Sequence, residues 1–395
     1  MKPDCVVVGS GLAGSVLARE VAEKQGKQVL VLEKRTHIAG NLYDETDHRG
    51  ILVQRYGPHT FHTNEEKAYR YLARFGKLMP YRLTYEAEVR NRLVPCPFNF
   101  NSIELLYEPD HARRLIRLLG AAYPRKQAVP VQALMNHEEP LIREYAHLLF
   151  EEDYRPYTAK QWGLPPEAVD PAVLARVPVW LNRNNTYFDD RYQCLPREGY
   201  TRLMETMLRH PRIQVQTGCD ALTELSFAKD RVLFAGAAVA RVIFTGSVDA
   251  LFGYRFGRLP YRSLHFEYEH VPVKSYQKAA ITAYPKHPGY TRITEYTKLP
   301  PQKVGTYTLI AREYPLPCDP EGDRGREPYY PVNTPENQRL YHRYRQLAAG
   351  YANLTLCGRL AMYRYDNMDQ IILRALEAAE ALEQQERVCG FGEED

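Results

Sequence analysis

The first forty residues constrain the fold more than any other part of the chain. Residues 4–8 read Asp-Cys-Val-Val-Val, which is typical of a short buried strand. The glycine sequence Gly9-Ser10-Gly11-Leu12-Ala13-Gly14 follows and opens an amphipathic helical stretch that ends near Lys24. A second apolar strand over residues 28–32 leads into Glu33. This order of strand, Gly-x-Gly-x-x-Gly, helix, strand and acid predicts a Rossmann-like unit.

The three glycines have separate predicted roles in binding a dinucleotide. Gly9 makes a tight turn, Gly11 lets a pyrophosphate approach the backbone, and Gly14 lets the helix pack closely on the strand. The pyrophosphate would lie at the helix N-terminus, where unpaired N–H groups favour an anion. Glu33 follows Gly14 by about twenty residues, the spacing of a carboxylate that binds a ribose hydroxyl. The alternative is a glycine turn in an α/β domain that binds no ligand.

Composition excludes several classes of function. The 395 residues suffice for two or three domains at roughly 150 residues each. A net charge of +4 with dispersed basic residues does not suggest nucleic-acid binding. Seven scattered cysteines without a Cys-x-x-Cys predict reduced thiols in a cytoplasmic protein and argue against a disulfide or zinc framework. We expect no metal site. We expect no signal peptide, and no apolar run approaches the roughly 18 residues that span a bilayer.

The rest of the chain predicts an insertion into the nucleotide-binding domain. Thr63 and Glu66 form a capping-box pattern that would open a helix. Residues 81–100 read as a hairpin with proline at its edge, and residues 102–150 have helical periodicity. Further predicted strands are 239–246, 264–269, 279–283, 291–297, 306–313 and 354–359, and further predicted helices are 335–349 and 368–385.

The predicted class is therefore α/β, a Rossmann-like domain with an inserted helical bundle and an antiparallel β-sheet domain. The first domain would be discontinuous and comprise residues 1–80, 205–255 and 350–395. The helical domain would comprise residues 100–200, with a mobile loop near 168–182. The sheet domain would comprise residues 81–99 and 256–349.

Eight short motifs, in order and along nearly the whole chain, resemble those of bacterial UDP-galactopyranose mutases. Besides the N-terminal fingerprint they are 57–63 (GPHTFHT), 157–163 (YTAKQWG), 176–179 (RVPV), 185–188 (NTYF), 290–293 (YTRI), 328–331 (PYYP) and 358–365 (GRLAMYRY). The resemblance implies an FAD enzyme that interconverts UDP-galactopyranose and UDP-galactofuranose without net redox change. The flavin would act in its reduced form, with its N5 forming a covalent adduct with the anomeric carbon of the sugar.

The resemblance also implies partners and context. The substrate would be a nucleotide sugar, and a reductant such as NAD(P)H would keep the flavin reduced. The product would supply galactofuranose for polysaccharide biosynthesis. We expect a cytoplasmic homodimer with no nucleic-acid partner.

Site residues follow from the resemblance, motif by motif. Arg176 and Arg292 match two diphosphate-binding arginines, whose planar forks donate to two oxygens at once. Arg176 would ride on the mobile loop between Pro171 and Pro178. His59 would lie at the flavin and act chiefly through its backbone carbonyl near N5. Arg176, Arg292 and His59 are the expected catalytic residues.

The remaining assignments concern binding. Tyr187, Tyr329 and Tyr365 would donate to the diphosphate, Tyr157 would stack on or line the uracil, and Trp162 would pack beside the sugar. Further substrate contacts are expected from Phe188 and Asn367. The expected cofactor-binding residues are Gly9, Gly11, Gly14, Glu33, Lys34, Asn41, His59, Arg359 and Met368, of which Arg359 would contact the FAD pyrophosphate.

Three positions depart from the family pattern. Ala39 replaces the first glycine of a Gly-Gly-Asn, and its methyl group would be compatible with a negative φ. Trp180 stands where the mobile loop often carries a second arginine, and Asn367 where an aspartate often stands. These changes leave open a mutase of UDP-N-acetylgalactosamine or of a dTDP-6-deoxyhexose.

Other classes of function also stay open. A flavin amine oxidase or desaturase shares the N-terminal fingerprint, but an apolar substrate has no use for two arginine forks. A non-catalytic nucleotide-sugar binding protein and a structural α/β protein are the remaining alternatives.

Overall fold

The computed structural model describes residues 3–165, 177–303 and 305–390. Its first sheet has five parallel strands, and each strand pairs with the next across the sheet. From one edge to the other, the strands are Ile213–Thr217, Val29–Glu33, Cys5–Val8, Arg241–Phe244 and Leu354–Leu356. The two strands of the predicted Rossmann unit therefore lie side by side within the sheet. The helix between them spans Leu12–Lys24, so the predicted βαβ order is confirmed.

A second sheet of seven strands is mostly antiparallel and is built around two long strands, Tyr261–Val271 and Thr308–Pro317. The hairpin Tyr85–Val89 and Arg92–Pro95 forms one end, as the alternation in sequence predicted. The remaining strands are Ile281–Ala283, Arg292–Glu295 and Tyr330–Pro331. The register pairs Arg292 directly with Glu313, which places two opposite charges on neighbouring strands.

Helices between the hairpin and residue 165 form the predicted insertion. They are Phe100–Leu106, Pro109–Ala122, Val131–Met135, Pro140–Leu149 and Arg155–Trp162. A π-helical turn, Phe150–Tyr154, joins the last two helices without a break. Leu115, Leu119 and Tyr145 are fully buried, so the apolar periodicity did identify the faces that pack.

The other helices are Glu66–Ala73, Gly199–Leu208, Val248–Leu251, Pro335–Ala349 and Met368–Gly390. The predicted capping box at Thr63 is wrong. The Thr63 hydroxyl accepts from the Glu65 N–H and donates to Asp369, so it joins the chain to the last helix instead. In the part of the chain that the structure describes, every helix is too short or too polar to cross a membrane.

Smaller β-structures complete the fold. One three-stranded sheet comprises Phe61–Thr63, Tyr192–Pro196 and Leu78–Pro80, and another comprises Leu225–Ala228, Arg231–Phe234 and Ala237–Ala238. Two-stranded pairs are Asp44–Thr46 with Leu52–Gln54, and Ala128–Val129 with Val179–Trp180. Buried Phe61 and Cys194 face each other in the register of the first of these small sheets, so this sheet fixes the segment that follows His59.

Candidate active site

A cavity of about 520 Å³ lies at the carboxyl ends of the parallel strands. Ligands of open α/β sheets bind at this edge. The cavity wall includes the glycine turn, the end of the second strand and the start of the last helix. Eight of the predicted cofactor-binding residues line it: Gly9, Gly11, Glu33, Lys34, Asn41, His59, Arg359 and Met368.

The glycine turn is too tightly packed for larger residues. A Cβ on Gly14 would lie 1.9 Å from the Gly9 carbonyl oxygen, and one on Gly9 would lie 2.2 Å from the Thr245 hydroxyl. Gly9 also has a φ of +98°. Gly14, which was expected among the cofactor-binding residues, does not line the cavity; a Cβ there would also lie 3.3 Å from the Val7 side chain, so glycine lets the helix approach the strand.

Two guanidinium groups at this cavity fit an anionic ligand. Arg35 Nη1 and Arg359 Nε are buried and lack a hydrogen-bond partner among the residues that the structure describes, and both residues line the cavity. Buried, charged donors without acceptors are costly, and a pyrophosphate would satisfy them. Burial disfavours the charge of Arg35, yet the Glu327 carboxylate beside it holds its pKa above the usual value.

Glu33 also orders the glycine turn. Its Oε2 accepts from the Ser10 backbone N–H at 3.0 Å and from the Ser10 hydroxyl at 2.7 Å. Its Oε1 accepts from the Arg35 N–H at 3.0 Å. A carboxylate has about four acceptor positions, which leaves capacity for a ribose hydroxyl. The donor and acceptor set of the cavity therefore fits FAD.

Ala39 does not have the negative φ that its methyl group favours. Its φ is +73°, and the residue is fully buried beside Gly40. Left-handed backbone costs an alanine roughly 1–2 kcal/mol. The Ala39 N–H donates to the Ser10 carbonyl at 3.2 Å, so the strained residue is held against the glycine turn.

A second group of residues lies beside the cavity; we call it the tyrosine cluster. Trp162 contacts Tyr330 and Tyr365, with ring centroids 6.0 and 5.6 Å apart, and Tyr330 and Tyr365 are 5.2 Å apart. The Arg359 guanidinium lies 5.3 Å from the Tyr365 ring centroid. Arg359 therefore belongs to the cavity wall and also contacts this cluster. The members of the tyrosine cluster are Tyr85, Tyr157, Trp162, Tyr187, Arg292, Glu313, Tyr330 and Tyr365.

The phenol groups of Tyr157, Tyr187 and Tyr330 stay protonated at neutral pH. Burial raises the pKa of Tyr157 to about 12, although Arg292 opposes the shift. Burial likewise raises the pKa of Tyr187 and Tyr330. Tyr157, Tyr187, Tyr330 and Tyr365 are only partly buried, so their hydroxyl groups can donate to a ligand.

Arg292 is held by Glu313 through one carboxylate oxygen. Arg292 Nε and Nη2 donate to Glu313 Oε2 at 2.8 and 2.7 Å. Burial opposes the charge of Arg292, but Glu313 raises its pKa well above the usual value. Glu313 Oε1 is buried without a partner among the described residues. Neither bond uses Arg292 Nη1, which leaves that end of the fork for a ligand.

His59 connects the two parts of the site. It lines the cavity, and burial together with the positive charges of Arg359 and Arg292 lowers its pKa to about 4. Its Nδ1 lies 2.8 Å from the Gly57 carbonyl oxygen. Since a carbonyl only accepts, Nδ1 carries the proton of the neutral ring, and the charge near the cavity comes from the arginines.

The helix that carries Tyr157 and Trp162 is held at its C-terminus by two cations. Lys160 Nζ donates to the carbonyl oxygens of Tyr284, His287 and Tyr290. Arg262 donates to the carbonyl oxygens of Gln161 and Lys160, at 2.8 and 3.1 Å. The Arg262 bonds complement the negative end of the helix dipole, and the Lys160 bonds tie the helix to the segment before Arg292.

The other predicted substrate residues lie within the cluster, beside it or in the cavity wall. Tyr187 packs on Tyr85 at 4.8 Å, and Phe188 stacks on His62 at 3.6 Å between ring centroids. Tyr329 is 3% exposed and lines the cavity instead. Tyr330 shares the cluster with Trp162, which favours Tyr330 as the substrate-facing member of the pair.

Three further residues singled out in the sequence are Arg176, Asn367 and Trp180. Arg176 and most of the expected mobile loop lie outside the described residues. Asn367 directly precedes the last helix, and its N–H is bonded to the Gln370 side chain at 2.9 Å. Trp180 lies in the short strand paired with Ala128, and its Nε1 is buried without a partner among the described residues.

Comparison with known proteins gives consistent results. A sequence model of the UDP-galactopyranose mutase family matches residues 153–365, and one of NAD(P)-binding Rossmann-like domains matches residues 7–75. A UDP-galactopyranose mutase of Mycoplasma pneumoniae is 37% identical over 96% of each chain. A dTDP-fucopyranose mutase of Escherichia coli is 32% identical over 95% of this chain and 97% of its own. This chain belongs to the UDP-galactopyranose mutase family.

Membership of the UDP-galactopyranose mutase family makes the protein an isomerase and a flavin-dependent sugar-nucleotide mutase. A crystal structure of a reduced UDP-galactopyranose mutase superposes with a TM-score of 0.71 at 15% identity, covering 98% of this chain and 94% of that one. That structural likeness supports the fold alone. The arguments about function rest on the sequence motifs and the site geometry.

Several residues of this mutase site escaped sequence reasoning. Glu313 is one, because its role depends on strand register. Thr245 and Gly246 line the cavity at the end of a parallel strand, and the apolar run before that turn was a usable signal. Arg35 and Glu327 pair across the cavity wall, although 292 residues separate them.

Proposed function

We propose that this protein interconverts UDP-galactopyranose and UDP-galactofuranose with reduced FAD in the 520 Å³ cavity. The observation that carries the proposal is the position of Arg359, which lines that cavity and lies 5.3 Å from the ring of Tyr365 in the tyrosine cluster. A cofactor in the cavity and a nucleotide sugar in the cluster would then be neighbours. The chemistry that reduced FAD would supply when bound is a nucleophilic nitrogen, N5.

The protein's own residues would bind and neutralise the diphosphate. Arg292 is held in place by Glu313 and has Nη1 outside that pair. Tyr187 and Tyr330 keep their protons, and their hydroxyl groups and that of Tyr365 would donate to phosphate oxygens. We propose that Arg176 supplies the second guanidinium. Fixed donors that face developing charge contribute more in a site with little water than they would in solution.

Positioning is the second task of the site. We propose that Tyr157 stacks on the base and that Trp162 packs beside the sugar. The carbonyl bonds of Lys160 and Arg262 keep their helix from shifting, and a fixed nucleotide leaves the hexose as the only part that rearranges. His59 would face the flavin as a neutral ring or through its backbone.

The test is conversion by protein purified with its flavin and reduced with dithionite. UDP-galactopyranose should give a second product of the same mass that separates by chromatography, and the oxidised protein should give none. UDP-N-acetylgalactosamine and dTDP-fucopyranose serve as competing substrates. Absence of turnover with UDP-galactopyranose, or equal turnover by oxidised protein, would contradict the proposal.

A dTDP-6-deoxyhexose is the second candidate substrate, because the dTDP-fucopyranose mutase matches over nearly the same length. Preference for dTDP-fucopyranose in the same assay would favour it. An oxidase of the related flavoprotein type would instead consume oxygen and release peroxide, which an oxygen electrode measures directly.

We further propose a cytoplasmic homodimer, reduction by NAD(P)H, and a role in supplying galactofuranose for polysaccharides. These proposals rest on the family resemblance. Light scattering would measure the mass in solution, and anaerobic NAD(P)H should bleach the flavin absorbance. The discontinuous first domain is likewise a proposal; it is supported by strands Ile213–Thr217, Arg241–Phe244 and Leu354–Leu356 joining the N-terminal sheet.

A further inference from the structure

The π-helical turn Phe150–Tyr154 carries a buried carboxyl group that the proposed reaction does not use. Asp153 is 7% exposed, and no described residue forms a hydrogen bond with its side chain. Burial alone shifts the pKa of its carboxyl group. Most buried polar side chains in proteins have a hydrogen-bond partner, and leaving one unpaired costs free energy. An unpaired carboxyl at this depth therefore points to a ligand.

Asp153 lies next to the nucleotide side of the tyrosine cluster. The helical backbone is continuous from this turn into Arg155–Trp162, so Tyr157 follows Asp153 by about one turn on the same side. Arg292 and Asp153 both lie close enough to Tyr157 for their charges to shift its pKa, which Arg292 lowers and Asp153 raises. π-Helical turns occur frequently at functional sites.

The neighbours of Asp153 leave its carboxyl in apolar surroundings. Besides burial, the charge of Asp153 also raises the pKa of Cys96 and Tyr154, both of which are buried. The Tyr154 hydroxyl is already used, since it donates to the Val177 carbonyl oxygen at 2.5 Å. Burial raises the pKa of Asp153 to about 7. The neutral form of the carboxyl is therefore accessible near neutral pH.

A neutral carboxyl presents one donor and one acceptor side by side. The imide edge of a pyrimidine-2,4-dione, the base of uridine and thymidine, presents the complement: an N3–H beside two carbonyl oxygens. We propose that Asp153 reads the base of the nucleotide sugar by accepting from its N3–H and donating to a neighbouring carbonyl oxygen. This inference rests on the proposed function, because Tyr157 marks the base only there.

The test compares UDP-galactose with its N3-methyluridine counterpart, which lacks the N3–H. Calorimetric titration of the FAD-loaded, oxidised protein gives both affinities for wild type, Asp153→Asn and Asp153→Leu. Wild type should prefer UDP-galactose by about 10- to 100-fold, the worth of two hydrogen bonds. Asp153→Leu should lose that preference, whereas Asp153→Asn should keep it, because an amide also donates and accepts.

The pH dependence separates a base-reading role from a structural one. Wild-type affinity for UDP-galactose should fall as the pH rises through about 7, when the carboxyl loses its donor. Asp153→Asn should abolish that fall. Retained flavin and an unchanged circular dichroism spectrum show that each variant is folded.

Two results would overturn the inference. One is an Asp153→Leu variant that keeps the full preference for UDP-galactose, and the other is an Asp153→Asn variant that loses it. The conversion assay keeps this question apart from the proposed function. Imide-dependent binding without turnover by reduced enzyme would refute the mutase proposal alone, and turnover with equal binding of both ligands would refute the role of Asp153 alone.

Discussion

Replacing Arg292 should separate the stability of this site from its chemistry. The Arg292 side chain is 17% exposed and that of Glu313 is 3% exposed. Removing one partner of such a pair leaves the other charge buried, which typically costs about 3–5 kcal/mol. Because some water reaches Arg292, we expect Arg292→Met to lower the free energy of unfolding by about 3 kcal/mol, the low end of that range. Glu313→Leu should cost at least as much, since the arginine would lose its counter-charge.

The double variant Arg292→Met/Glu313→Leu gives the decisive comparison. Replacement of a whole buried ion pair by apolar residues is often nearly neutral, so the double variant should lose less than about 2 kcal/mol, with a coupling energy of several kcal/mol. Urea unfolding with saturating FAD, followed by fluorescence and circular dichroism together, would measure these differences. Conversion of UDP-galactose should nevertheless stay about 10²–10³ below wild type, because the fixed diphosphate donor is gone.

Two outcomes would refute this reasoning. If Arg292→Met costs less than about 1 kcal/mol, a typical value for an exposed pair, the pair is not desolvated. If the double variant regains wild-type turnover, Arg292 acts only through stability and does not bind the diphosphate. Arg70→Met is a suitable control, because Arg70 also pairs with a glutamate but its side chain is 77% exposed.

Three other predictions concern His59, Gly14 and Ala39, which lie at or next to the cavity. Since the pKa of His59 is about 4 in the folded protein against 6.5 ordinarily, stability should fall by at most about 3 kcal/mol as the pH drops through this interval, and His59→Asn should flatten that slope in urea titrations. Gly14→Ala should abolish FAD binding, because its Cβ would meet the Gly9 oxygen at 1.9 Å, whereas Gly120→Ala, with nothing within 4 Å, should raise stability by up to about 1 kcal/mol; flavin content and thermal unfolding measure both. Ala39→Val should lower the free energy of unfolding by more than about 2 kcal/mol, whereas Ala39→Gly should change it by less than about 1 kcal/mol, because relief of strain and lost methyl packing offset each other.

The N-terminal unit could be predicted from sequence because its determinants are local. A strand, a glycine turn and an amphipathic helix each depend on residues close in the chain, and the observed Cys5–Val8, Leu12–Lys24 and Val29–Glu33 begin and end within a few residues of the prediction. The strand Ile213–Thr217 was not predicted. Its alternating, partly exposed residues at a sheet edge give a much weaker signal than a buried run.

The tyrosine cluster could be predicted only in part, because its geometry depends on long-range register. Arg292 was identified from its motif, but its pairing with Glu313 exists only because two antiparallel strands align at those residues. The choice between Tyr329 and Tyr330 likewise depends on the orientation of the backbone at the start of a short strand, which turns Tyr329 toward the cavity and Tyr330 toward Trp162. The φ of Ala39 follows from the surrounding turn, and a single residue type does not reveal it.

The two candidate substrates differ where Asp153 cannot distinguish them. Uracil and thymine share the same imide edge, so a carboxyl that reads this edge accepts both UDP and dTDP sugars and rejects nucleotides that lack it. Discrimination must then come from the thymine methyl group, the ribose 2′-hydroxyl or the sugar 6-hydroxyl. A site with a buried polar group aimed at the 6-hydroxyl would reject a 6-deoxyhexose strongly, because that group would be left unpaired, whereas an apolar wall would tolerate it with a modest penalty. Substrate choice in this enzyme should therefore depend on the polarity of the sugar end of the tyrosine cluster, where Trp162 contacts Tyr330 and Tyr365.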